Sequence, residues 1–132
     1  MKIQILPLVT GAQKATGLTV IIDVFRAFSL EAYMYTSGAK KVIPVKTVED
    51  ALALKKENPS YILVGERKGI KVEGFDYGNS PSEFVGVDLS GKTLIHTTSA
   101  GVLGLASAVS ASQIVTGALV NAKATAKYIL EQ

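Results

Sequence analysis

Apolar and polar positions divide this chain into short runs of two kinds. Leu18–Phe25 (LTVIIDVF) is β-branched and nearly all apolar, the mark of a strand covered on both faces. Tyr61–Glu66 (YILVGE), Lys92–Ser99 (KTLIHTTS) and Gln113–Leu119 (QIVTGAL) read as further strands. Lys40–Val45 (KKVIPV) is a shorter one, and its Pro44 assigns it to an edge or an end. Lys2–Val9, with its brief apolar run, is read as a first strand. Helices are expected between the strands. Ala27–Gly38 ends on a glycine able to supply a left-handed cap. The next starts at Thr47, with Asp50 completing a short capping box, and stops at Asn58-Pro59-Ser60. Its inner stripe is Val48, Ala51, Leu52 and Lys55. Ala100–Ala111 is a helix of small residues, and Asn121 is read as the N-cap of a final helix.

The order is β-β-α-β-α-β-loop-β-α-β-α, with a short helix expected at Ser80–Val85 inside the loop. Alternating strands and helices predict an α/β fold. Its sheet is mostly parallel or mixed, with right-handed crossovers and helices on both faces. The first strand is the candidate for antiparallel pairing. Residues 1–132 read as a single α/β domain or as one lobe of a larger protein.

Composition narrows the classes. A hydrophobic fraction of 48% supplies a core. The net charge of +3 includes lysines without aromatic interleaving, which signals a nucleic-acid surface only weakly and fits a small anionic ligand equally well. No cysteine is present, so thiolate metal sites, disulfides and cysteine nucleophiles are excluded. That usage leans to a reducing, cytoplasmic setting. "MKIQILPLV" is a poor signal peptide, because Gln4 and Pro7 break the run. Thr93–Ala122 carries no Asp, Glu, Lys or Arg, yet His96, Gln113, Asn121 and several hydroxyls argue for a buried strand–helix–strand unit over a membrane span.

Open parallel sheets bind ligands at the carboxyl ends of their strands. Asp23 and Arg26 follow one strand, Glu66 and Arg67 another, and Thr97, Thr98 and Ser99 a third. The charged loop Leu63–Phe84 is expected to complete the rim with Asp76, Asn79 and Glu83. Carboxylates with an amide suit Mg²⁺, arginine forks suit phosphate or sulfonate, and the "TTSAG" turn offers free N–H groups and hydroxyls. Together they suit metal-assisted phosphoester hydrolysis. Each part also has a structural reading. Asp23 as a helix cap, Arg26 as an ion-pair partner, "GERKG" as a charged turn and Asp76 and Asn79 as Asx-turns are the alternatives. His96 is read as a satisfied core histidine.

Absent motifs narrow the reaction. There is no P-loop, no G-x-G-x-x-G and no G-x-S-x-G elbow. Phe25 stands where a paired-aspartate phosphatase needs a second Asp.

Five blocks carry a resemblance: "IDVFRAFS", "GAKKVIPV", "VGERKGIKVEGFDYGNSPSEF", "GKTLIHTTSAG" and "VTGALVNAKATA". In this order they resemble the 2-phosphosulfolactate phosphatases, the ComB-like family. The resemblance implies a Mg²⁺-dependent hydrolase that converts 2-phospho-3-sulfolactate to sulfolactate and phosphate, on the route to coenzyme M. It implies an Asp-x-x-Arg at Asp23 and Arg26, a Gly-Glu-Arg at Glu66 and Arg67, a Gly-Asn-Ser-Pro at Gly78–Pro81 and a threonine-rich turn at Thr97–Ser99. Roles then follow from chemistry. Asp23 and Glu66 are the catalytic candidates, with Asp23, Glu66 and Asp76 for metal. Arg26 and Arg67 are anion clamps, and Asn79, Ser80, Thr97, Thr98 and Ser99 orient the substrate.

Two departures qualify this. Ala100–Gly101–Val102 stands where many relatives carry Asn-Gly-Thr, and relatives continue into a second α/β portion with a Glu-Asp pair. The expectation is therefore a homo-oligomer or a lobe completed by further chain, with the small-residue helix packed against it. The rival expectation is a non-catalytic domain that binds a small anionic metabolite or a partner chain.

Overall fold

A computed structural model describes all residues from Met1 to Gln132. Its strands form two sheets. β1 (Gly17–Ile22) pairs in parallel with β6 (Ala111–Gly117). The second sheet has the order β2-β5-β3-β4, from Lys41–Pro44, Thr93–Thr97, Ile62–Arg67 and Ile70–Lys71. Its first three strands are parallel, and β4 closes an antiparallel hairpin on β3. The helices are α1 (Leu8–Ala12), α2 (Ala27–Thr36), α3 (Val48–Glu57), α4 (Gly101–Ser107) and α5 (Ala122–Leu130). This is the expected α/β class, divided between two sheets.

Strand alternation builds the larger sheet's two cores. Val64 and Leu94 face one side and pack with Leu30 and Met34 of α2 and with Phe84. Leu63 and Ile95, their neighbours in sequence, face the other side and pack with Ala51 of α3 and with Phe75. Helical cover on both faces follows from that two-residue period. Pro44 lies on edge strand β2, where its missing N–H costs no ladder bond. Gly38 has φ +96° just beyond α2, and the Thr47 side chain accepts the Asp50 N–H at 3.0 Å, as the caps required.

Three expectations are corrected. Lys2–Val9 is not a strand: it has no sheet partner, and Ile3 and Ile5 are exposed. Pro7, extended and without an N–H, starts α1 in its place, and its carbonyl accepts the Gly11 N–H at 3.0 Å. The small-residue helix stops at Ser107, whose hydroxyl donates to the Leu103 carbonyl at 2.7 Å. It packs against α1 through the Ala12, Ala15 and Ala108 cluster, so part of the cover expected from another chain comes from this one. Asn121 starts α5 without capping it by its side chain. Its Oδ1 accepts the Ala118 N–H at 2.7 Å and its Nδ2 donates to the Thr116 carbonyl at 3.1 Å. The expected short helix is present as a 3₁₀ turn at Pro81–Phe84. No helix is long and apolar enough to cross a membrane.

Candidate active site

The carboxyl ends of β1, β3 and β5 meet at one cleft. At the end of β1 the chain is tied by the Asp23 N–H donating to Gly117 O at 3.1 Å. The Ser29 hydroxyl donates to Val24 O at 2.8 Å, and the Leu30 N–H to Arg26 O at 2.9 Å. These bonds bring Asp23 and Arg26 to the start of α2. The start of α4 sits hard against them. A Cβ on Gly101 would lie 2.7 Å from Asp23 Oδ2 and 2.9 Å from the Ala27 Cβ, so only glycine allows this approach.

Glu66, at the end of β3, is 7% exposed and held by the turn after β5 and by Gly69. Oε1 accepts the Ser99 N–H at 2.7 Å. Oε2 accepts the Gly69 N–H at 2.7 Å and the Ser99 hydroxyl at 3.2 Å. Burial opposes ionisation here. The two backbone N–H groups, the hydroxyl and the Arg67 charge outweigh it and hold the carboxyl below its usual range. Hydrogen bonds to a charged group contribute roughly 1.5–3 kcal/mol each. Glu66 therefore acts as the staple between β3 and the Thr98–Ala100 turn.

The charged loop runs back along the free edge of β3. Tyr77 N–H donates to Leu63 O at 3.1 Å and Gly65 N–H to Tyr77 O at 3.1 Å, a parallel bridge. Residues after Tyr77 therefore reach the rim. Gly78 N–H is caught by Glu83 Oε2 at 3.0 Å, and Asn79 follows, 8% exposed. Asn79 Oδ1 lies 3.3 Å from His96 Nε2. His96 is buried, and burial pulls its pKa down to about 4 although the Glu66 charge opposes this. The ring is neutral, and with a carbonyl oxygen as partner Nε2 carries the proton. That contact leaves the Asn79 amide N–H₂ to the cleft.

The cleft has a volume of about 240 Å³. That is below the roughly 300–1,000 Å³ usual for drug-sized ligands, so it fits a small molecule. Asp23, Phe25, Arg26 and Glu66 line it from the first two strand ends, and Asn79, Thr98, Ser99 and Ala100 from the loop and the β5 turn. Lys68 and Gly69 close the remaining wall. Six of the expected residues are thus together: Asp23, Arg26, Glu66, Asn79, Thr98 and Ser99.

Four are not. Arg67 lies outside the cleft, because its guanidinium donates to Glu66 O, Lys46 O and Thr97 Oγ1 at 2.7, 3.2 and 2.8 Å. It ties the ends of three strands, a positioning role rather than an anion clamp. Thr97 is completely buried under that contact. Ser80 turns away to pair with Ser82 Oγ at 2.8 Å. Asp76 precedes the Tyr77 bridge and sits at the other end of β3. There it accepts the Leu63 N–H at 2.7 Å and pairs with Lys55 at 3.6 Å, which removes it from the rim's metal candidates. Sequence reasoning missed Lys68 and Phe25, although "GERKG" and "DVFR" contain them. No signal in the chain marked their direction.

No group of three or more His, Asp or Glu side chains gathers anywhere. A carboxylate offers about four lone-pair sites, and Glu66 spends three of them. Asp23, with the remaining Glu66 site, fits a hard cation that keeps most of its ligands as water, the habit of Mg²⁺.

A sequence model of the family described as 2-phosphosulpholactate phosphatase matches residues 5–132. Relatives named probable 2-phosphosulfolactate phosphatase agree. The chain is 46% identical over 112 residues to that of Carboxydothermus hydrogenoformans, covering 85% of this chain and 46% of the relative. It is 45% identical over 112 residues to that of Clostridium tetani, covering 84% and 48%. It is 38% identical over 112 residues to that of Bacillus subtilis, covering 85% and 49%. The chain spans about half the length of these curated relatives.

Proposed function

This chain belongs to the 2-phosphosulpholactate phosphatase family, and on that premise we propose that its cleft binds a small phosphorylated acid and hydrolyses the phosphate ester. The substrate is 2-phospho-3-sulfolactate or a close analogue, and the products are the 2-hydroxy acid and phosphate. One observation carries the reading: a carboxylate, Asp23, and a guanidinium, Arg26, share a small polar cleft with the Asn79 amide and the Thr98–Ser99 turn.

The residues divide the work. Arg26 presents paired donors to the phosphate oxygens. The Asn79 amide, held by His96, and the Ser99 region orient the ester. Asp23 accepts a proton from the attacking water. Glu66 keeps the β5 turn in register and so fixes the distance between those groups. Mg²⁺, held by Asp23 and the free Glu66 site, supplies Lewis-acid polarisation of the phosphoryl oxygens when bound. The protein works in the cytoplasm on this reading.

The test is phosphate release from racemic 2-phosphosulfolactate with Mg²⁺, against EDTA and against Asp23→Asn. Metal-dependent release that falls on the order of 10²-fold or more in the variant is expected. A folded chain that binds the anion without releasing phosphate would sink the catalytic reading and leave an anion-binding domain.

A further inference from the structure

Lys68 stands in a conformation that its residue type disfavours. β3 and β4 form a hairpin in which Arg67 pairs with Ile70, so Lys68 and Gly69 are its two-residue connection. Both have positive φ, +55° and +81°. Such primed turns favour Asn, Asp or Gly at the first position, and Gly69 already fills the second. A lysine in the left-handed region is the kind of local misfit from which function is inferred.

The surroundings point the same way. The turn is pinned to the site by backbone: Lys68 N–H donates to Ser99 Oγ at 3.3 Å and Gly69 N–H to Glu66 Oε2 at 2.7 Å. Lys68 lines the cleft with Arg26, which comes from a different strand end. Its ammonium takes part in neither of the chain's two salt bridges. Arg67, the neighbouring cation, has its donors committed to Glu66, Lys46 and Thr97. The cleft therefore has two free cations, each following one of its acidic residues in the chain.

We propose that Lys68 binds the second anionic group of the ligand, the sulfonate or carboxylate of a small acid whose phosphate lies at Arg26. The assignment rests on the phosphatase reading for the identity of the first group. It makes Lys68 a specificity residue: it selects molecules with two negative groups over inorganic phosphate.

The test exploits the misfit. Lys68→Asn places a residue that the turn prefers, so the thermal unfolding midpoint rises, by about a few degrees. At the same time, calorimetric affinity in EDTA for 2-phosphosulfolactate falls by about tenfold or more. Affinity for inorganic phosphate changes less than about threefold, and Lys68→Arg keeps most of the discrimination. Lys68→Gly repeats the comparison with a second residue suited to the turn. Unchanged affinity for the doubly anionic ligand overturns the proposal, and so does an equal loss for both anions. Failure of the phosphatase reading shows separately. A wild-type chain that binds these anions but releases no phosphate ends that reading and leaves the Lys68 comparison intact. A wild-type chain that binds neither ends both.

Discussion

His96 and Asn79 show how a buried residue shapes an open site. The imidazole does not line the cleft; it fixes which end of an amide the cleft meets. Its burial has a pH signature. Between pH 6.5 and about 4 the unfolded chain carries a His96 proton that the folded chain refuses. Stability is therefore lost as the pH falls through that window, by on the order of 3 kcal/mol at its foot. Urea titrations at pH 7 and pH 4.5 should show a His96→Gln variant losing most of that dependence. Identical slopes in both proteins would contradict a neutral buried ring. Glu66, held below its ordinary 4.5, adds its own loss only lower on the scale. At this scale the strand-end rule located Asp23, Arg26, Glu66 and Ser99, because it needs only the place where an apolar run stops. It put Arg67 on the rim, and the reading of the loop put Asp76 there; neither lines the cleft. Only the parallel run of the loop along β3 reveals that Asp76 lies at the wrong end, and only the positions of three carbonyl and hydroxyl oxygens reveal where Arg67 points.

The apolar pattern marks strands whether or not the fold buries them: β3 and β5 are largely buried, whereas β1, expected to be covered on both faces, has no buried residue and β6 has one. β1, β3, β5 and β6 were each legible, because a β-branched run bounded by turns has few other uses. The N-terminal segment was not, since its isoleucines are exposed and nothing in the local pattern separates an exposed apolar run from a strand. Gly65 carries an element-scale prediction. A Cβ there would lie 2.3 Å from the Thr97 carbonyl oxygen and 3.0 Å from Thr97 Cγ2. Gly65→Ala forces β3 from β5 and should cost about 3 kcal/mol or more, read as a lower denaturant midpoint. A loss under about 1 kcal/mol would mean that the two strands separate freely at this point.

The whole molecule leaves an apolar end uncovered. Ile22 ends β1, Phe25 follows it, and Leu119 and Val120 follow β6; they are 70%, 91%, 75% and 57% exposed. Phe25 also lines the cleft. The division into two sheets has a mechanical consequence. No backbone hydrogen bond joins β1 and β6 to the larger sheet; α2 packs against both. Asp23 and Arg26 ride on one jaw, Glu66 and Lys68 on the other, and the helix between them is the axle. The bite of the cleft is set by side-chain packing on that one helix, through Ala27 and Phe28 towards β1 and β6 and through Leu30 and Met34 towards the larger sheet.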